Sequence, residues 1–219
     1  MPIDDLVEQA MRRWPSVPAV FGWLRLDRRG HWLLIDRGRP DFDETLHGQG
    51  SEITSPPILD FLGRNYLGDE QGRWHWQNGP QRVFVDLDLA PLILRVLGEG
   101  SGTHLSTHTG FLVEPGSGAW LDEAGNLFLK TSLGPGVVHD LDLAQLTFED
   151  NSAAEDAPPT RVQLGGNWLP IDFTADPCAD FYQYACGSWM AKTEIPADRP
   201  LYSRGFVAIQ ERNEALLKA

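Results

Sequence analysis

At 219 residues, with 42% hydrophobic and 10% aromatic content, the chain carries enough apolar surface for one ordinary core and a small appendage, which excludes wholesale disorder. Lys plus Arg number 18 against 31 for Asp plus Glu, a formal net charge of −13. That charge repels nucleic-acid phosphates and anionic membrane surfaces, so neither is an expected partner, and a protein partner is the class left open.

In chain order, Ile3, Leu6, Val7, Ala10, Met11 and Trp14 recur at helical spacing, with Asp4 or Asp5 to cap the start and Pro15 to stop the turn. Asp4, Asp5 and Glu8 interrupt the apolar residues here, so no export signal is read. Two aromatic strands, Val20 to Leu26 and His31 to Asp36, flank the turn Asp27-Arg28-Arg29-Gly30. The same D-x-x-G pattern recurs at Asp69 to Gly72 and Asp122 to Gly125, each time before an apolar run. Asp suits the first position of a type I turn and Gly supplies the positive φ that rejoins the second strand. The unequal spacing of the three argues for repeated hairpin chemistry, not a stacked repeat.

Arg37 to Ser55 lacks periodicity and reads as a long surface loop. Pro57 onward to Tyr66 reads as a helix with Pro in its first turn. Asn78-Gly79 between Trp74 to Gln77 and Pro80 to Leu87 is the best-marked hairpin. The run Val83 to Leu97 is broken by Asp86, Asp88, Pro91 and Arg95, so it cannot span a bilayer, and the expected location is cytoplasmic. Further strands are expected at Phe111 to Glu114, Leu127 to Thr131 and Val137 to His139, with a helical turn near Asp142 to Leu146. The fold class is α+β: a mainly antiparallel sheet built from hairpins, a few short helices and a short helical C-terminal segment.

Residues 1–148 form the expected α+β domain, and the acidic, Pro-containing stretch 149–160 is the expected linker. Arg161 to Leu164 and Asn167 to Pro170 flank Gly165-Gly166, a further hairpin that can add to the same sheet. From Asp172 the text changes. Asp176-Pro177-Cys178-Ala179-Asp180-Phe181-Tyr182-Gln183-Tyr184-Ala185-Cys186-Gly187-Ser188-Trp189 reads as a capped aromatic helix seeking a core.

That segment, 172–219, resembles the N-terminal start of the neprilysin and endothelin-converting-enzyme family of zinc metallopeptidases. Pro177, Cys178, Asp180, Phe181, Tyr182, Tyr184, Cys186, Gly187 and Trp189 carry the signature. Pro196 and Asp198, then Asn213 within Phe206 to Leu217, continue it. The resemblance implies zinc as cofactor, bound in H-E-x-x-H and E-x-x-x-D, but H-E-x-x-H does not occur in this sequence, and Glu194-Ile195-Pro196-Ala197-Asp198, which has the E-x-x-x-D spacing, stands without it. No catalytic or metal-binding residue and no cofactor is therefore assigned, and no activity is expected from this chain alone. The resemblance further implies that Cys178 and Cys186 pair with cysteines of a C-terminal catalytic part. Eight residues apart on one helix they lie about 12 Å from each other, beyond disulfide reach, so free thiols are expected. In this reading the segment is an incomplete peptidase start, stranded by fusion or truncation.

Residues 14–170 resemble a proteobacterial family of uncharacterised proteins, through Gly22-Trp23-Leu24, Phe61 to Tyr66, Trp76 to Val83, Thr107 to Gly110 and Trp120 to Glu123. The resemblance implies no activity. His104 and His108 have i, i+4 spacing, but Leu105 stands where a general base belongs and the surrounding Gly and Thr disfavour a helix. His75 reads as a strand residue between Trp74 and Trp76. Asp86 and Asp88 share a strand face that reads as solvated. Two functions remain: a binding or accessory domain joined to a peptidase segment, or a non-catalytic part of a zinc endopeptidase completed by another chain. Exposed tryptophans among the 8 would favour the first.

Overall fold

A computed structural model describes residues 3–98, 102–122, 124–149 and 158–172. The expected C-terminal helical segment and its signature residues, Pro177 through Asn213, lie outside the described residues. The described chain is mostly β-sheet with few helices. Helix α1, Asp5–Arg13, follows Asp4, whose backbone N–H donates to Asn65 Oδ1 at 3.0 Å and so ties the start of the helix down. Strands β1 (Val20–Leu26) and β2 (Trp32–Leu34) form the first hairpin.

The stretch expected to be an unstructured loop contains a short helix α2, Glu44–His47, and strand β3, Ser51–Glu52. Asp43 causes the helix by accepting the Leu46 N–H, an N-cap that apolar periodicity does not reveal. Helix α3, Pro56–Arg64, stops before Tyr66, because the Asn65 carbonyl accepts the Gln77 N–H and turns the chain into β4, Tyr66–Gly68. Strands β5 (Trp74–Asn78) and β6 (Gln81–Leu87) then complete a six-stranded sheet in the order β3-β2-β1-β6-β5-β4.

A nine-stranded sheet follows, built from β7 (Leu92–Leu97), β8 (His104–Thr107), β9 (Leu112–Val113), β10 (Pro115–Leu121), β11 (Leu127–Thr131), β12 (Gly134–Val138), β13 (Thr147–Glu149), β14 (Arg161–Leu164) and β15 (Asn167–Asp172). Ser117 and Gly118 lie within β10, which pairs with β11 on one side and runs parallel to β15 on the other. The parallel pairs β1·β6, β7·β12 and β10·β15 stand among otherwise antiparallel neighbours. One buried cluster joins the sheets, with Leu24, Trp32, Tyr66 and Trp74 from the first meeting Leu92, Leu94, Leu127 and Leu129 from the second. The 3-10 helix Asp140–Gln145 is pinned to β7 by Asp142, which accepts the Val96 N–H at 3.0 Å and the Arg95 Nε–H at 2.6 Å.

The D-x-x-G turns share one construction. Oδ1 of Asp27 accepts N–H groups from Arg29 and His31, Oδ1 of Asp69 from Gln71 and Arg73, and Oδ1 of Asp122 from Ala124 and Asn126. The other oxygen of each takes the side chain four residues on: His31, Arg73 and Asn126. A fourth turn, Thr107 to Gly110, does the same with a hydroxyl, Thr107 Oγ1 accepting the Phe111 N–H. The glycines sit at φ of 90°, 75°, 80° and 86°, which only glycine adopts without strain.

Candidate functional site

In a regular strand, successive side chains leave opposite faces, yet Trp23 and Leu24 both line one groove. A bulge makes this possible. The register of β1 against β6 slips between Val20 and Leu24, with Gly22 at φ 73° inside the slip. Arg37 fixes it by donating Nε–H to the Gly22 carbonyl at 2.6 Å, while its other nitrogens hold Glu44 at 2.5 and 3.0 Å.

The groove has a volume of about 420 Å³. Its walls are Trp23 and Leu34 from the first hairpin, Ile58 and Leu62 from α3, and Trp76 and Val83 from β5 and β6. Trp23 is 37% exposed, Leu34 46% and Ile58 47%, so its rim is apolar and open to solvent. Among the described residues no charged side chain lines it, and Asn78 and Gln81 supply polar groups. Trp76 packs edge-on against Phe61, and its buried indole nitrogen has no hydrogen-bond partner among the described residues.

The other candidates resolve differently. His104 lies in β8 and is exposed, whereas His108 sits in the following turn, 5.5 Å from Trp32 and 5.9 Å from Tyr66 between ring centroids. His108 Nδ1 accepts the Ile93 N–H at 3.3 Å, so the neutral ring carries its proton on Nε2, which is buried and has no partner among the described residues. Burial pulls its pKa down to about 3 against a small opposing pull from Asp27, so the ring is neutral near neutral pH. The two histidines do not form one site. Among the described residues no group of three or more His, Cys, Asp or Glu could hold a metal ion.

His75 is buried in β5 against Phe84, while its neighbours Trp74 and Trp76 pack on Tyr66 and Phe61. Asp88 forms a two-pronged pair with Arg25 at 2.5 and 3.0 Å, and burial raises the Asp86 pKa despite Arg37 and Arg25 nearby. Asp88 is thus engaged in an ion pair, and Asp86 lies near the same Arg25. The Asp27–His31 contact at 2.8 Å looks like a catalytic dyad in isolation. Arg73 and Asn126 occupy the equivalent place in the other two turns, which makes His31 a turn stitch.

Sequence reading missed Trp23, Leu34 and Ile58 as site residues. The available signal was Gly22 inside an aromatic strand, which marks a bulge.

The family described as "Protein of unknown function (DUF2946)" matches residues 3–186. The chain belongs to that family. Peptidase family M13 matches residues 177–219. Over 48 residues the chain is 44% identical to an endothelin-converting enzyme homolog of Locusta migratoria and 42% to neprilysin of Oryctolagus cuniculus, in each case 22% of this chain and 6% of that protein. The chain thus spans a small part of the curated relatives it matches. Among solved structures it is similar to a DUF1285 family protein from Silicibacter pomeroyi DSS-3, with 17% identity and a TM-score of 0.46 over 79% of this chain and 97% of that one. Among the described residues no helix is long and apolar enough to cross a membrane.

Proposed function

We propose that this is a bacterial, cytoplasmic binding or accessory domain fused to a peptidase-derived segment, and that the groove beside the β1 bulge takes a small, uncharged, mainly apolar ligand. The observation that carries this reading is the bulge itself. It brings two consecutive side chains into one groove whose volume falls in the small-molecule range and whose lining, among the described residues, contains no charge. A core that only needed filling would bury these side chains, whereas Trp23, Leu34 and Ile58 stay open at the rim. The exposure of Trp23 also supports a binding role over a purely structural one.

The M13 resemblance contributes lineage in this reading and no reacting group. The test is direct. The neutral fluorophore 1-aminoanthracene should bind saturably, and Trp23→Ala and Ile58→Asp should each abolish the signal while circular dichroism is unchanged. Absence of saturable binding overturns the ligand reading. The purified chain should cleave no peptide, and chelator-sensitive cleavage would overturn the accessory reading.

The second reading, a non-catalytic part of a zinc endopeptidase completed by another chain, is favoured by the 44% identity of the final segment to the locust relative. It requires that a chain bearing H-E-x-x-H co-purify with this one and gain activity from it.

A further inference from the structure

The six-stranded sheet ends at β4, and the register there places Gly68 opposite Trp74. The Asp69 N–H donates to Arg73 O and the Gln77 N–H to Asn65 O, so the residues that bond across this pair are 65, 67 and 69. Gly68 is the alternate residue, and its own N–H and C=O point away from β5, toward solvent. Beside this edge lies a second cavity of about 440 Å³, remote from the β1 bulge, lined by Gly68, Glu70, Trp74 and Leu133 among others.

Trp74 is only 6% exposed, yet it lines this cavity, and its indole N–H donates no hydrogen bond to any described residue. The ring is otherwise buried, and its nitrogen edge, the one polar group of an indole, is a part that reaches solvent. Two glycines frame the ring. A Cβ on Gly68 would stand 3.3 Å from Nε1, and one on Gly134 would stand 2.8 Å from Cζ2. Gly68 is absent from the positive-φ glycines, so its backbone does not demand glycine. What the missing side chain does is leave the nitrogen edge of the indole uncovered.

The charges at the cavity are unbalanced. Asp69 is matched by Arg73, with two contacts of 2.8 and 2.6 Å. Glu70 is exposed and makes no ion pair among the described residues. Among the described residues the site therefore offers a strand edge with one free donor and one free acceptor, an accessible indole donor without a protein partner, and one carboxylate outside any ion pair.

We infer that the β4 edge binds a short extended peptide segment carrying a lysine or arginine. The peptide backbone adds to β4 through Gly68, a peptide carbonyl accepts the Trp74 N–H, and the cationic side chain meets Glu70. Main-chain pairing of this kind supplies affinity and the adjoining cavity supplies side-chain choice. The chain's charge of −13 attracts a basic segment over an acidic one.

The experiment follows the tryptophan indole N–H signals of the ¹⁵N-labelled full chain, with the Trp74 signal assigned by its loss in Trp74→Phe. The capped peptide acetyl-Val-Lys-Val-amide should shift that signal saturably, and acetyl-Val-Glu-Val-amide should not. Glu70→Gln, at an exposed position, should weaken the lysine peptide about threefold, the scale of one surface ion pair. Gly68→Val should abolish the response with the other indole signals in place. No Trp74 shift at about 10 mM peptide, equal response to both peptides, or unchanged affinity in Glu70→Gln overturns the inference. Equal affinity for n-butylamine also overturns it, since side-chain capture alone would then suffice.

Discussion

Arg37 and Gly22, fifteen residues apart, are joined by a 2.6 Å hydrogen bond from the guanidinium to a carbonyl inside a strand bulge. The bond makes Arg37 a positioning residue for Trp23, although it lines no part of the groove itself. Arg37→Ala should leave the fold intact and weaken 1-aminoanthracene binding about fivefold, about 1 kcal/mol. Arg37→Lys, which keeps the charge but lacks the planar fork, should restore little of it. Fluorescence titration of both variants checks this.

Asp142 supports a second prediction. Burial alone would push its carboxyl up, but Arg95, the Val96 amide and the Arg95 and His139 charges together hold it below the ordinary range. Its folded pKa is depressed, so its stabilisation is present above the unfolded value of 3.8 and is lost as pH falls through the folded one. Asp142→Ala leaves the buried Val96 N–H without an acceptor and should cost about 2–4 kcal/mol in urea unfolding at pH 7.

His108 sets a different pH window. Its folded value of about 3 lies below the ordinary 6.5, so between these the unfolded chain holds the extra proton. Stability should fall as pH drops from 6.5 toward 3, by at most about 1.4 kcal/mol per unit. His108→Gln should flatten that slope whatever it does to absolute stability. Urea midpoints across pH 4 to 7 decide the matter.

Asp122→Ala removes one carboxylate that serves two backbone amides and the Asn126 side chain, and should cost about 1–2 kcal/mol. Asp122→Asn, which keeps an acceptor oxygen, should recover part of this. Thermal unfolding of the two variants gives the comparison.

Gly134→Ala should cost about 1–3 kcal/mol, since its φ of 137° is strained for alanine and the new carbon would meet Trp74. The indole signal of Trp74 should move in the same variant.

The hairpins were legible in the residues because their turns are local: Asp27, Asp69 and Asp122 each close a loop with groups no more than four positions away. The Thr107 turn escaped notice because a hydroxyl there replaces the carboxylate. Strand β10 was illegible because Gly116, Ser117 and Gly118 carry little strand propensity, and its place depends on β11 and β15 pairing from either side. The groove was illegible for a related reason. Trp23, Ile58 and Trp76 are far apart in the chain, and only the slip at Gly22 turns Trp23 toward the others.

The position of β15 has a practical consequence. It lies between β14 and β10, while β14 in turn pairs with β13, so the β14–β15 hairpin is gripped by backbone bonds on both flanks. Cutting the chain between residues 149 and 158 would sever a covalent link without removing any of that pairing. The two pieces should stay associated as a nicked complex, and a separately made peptide spanning 158–172 should complement the rest of the chain.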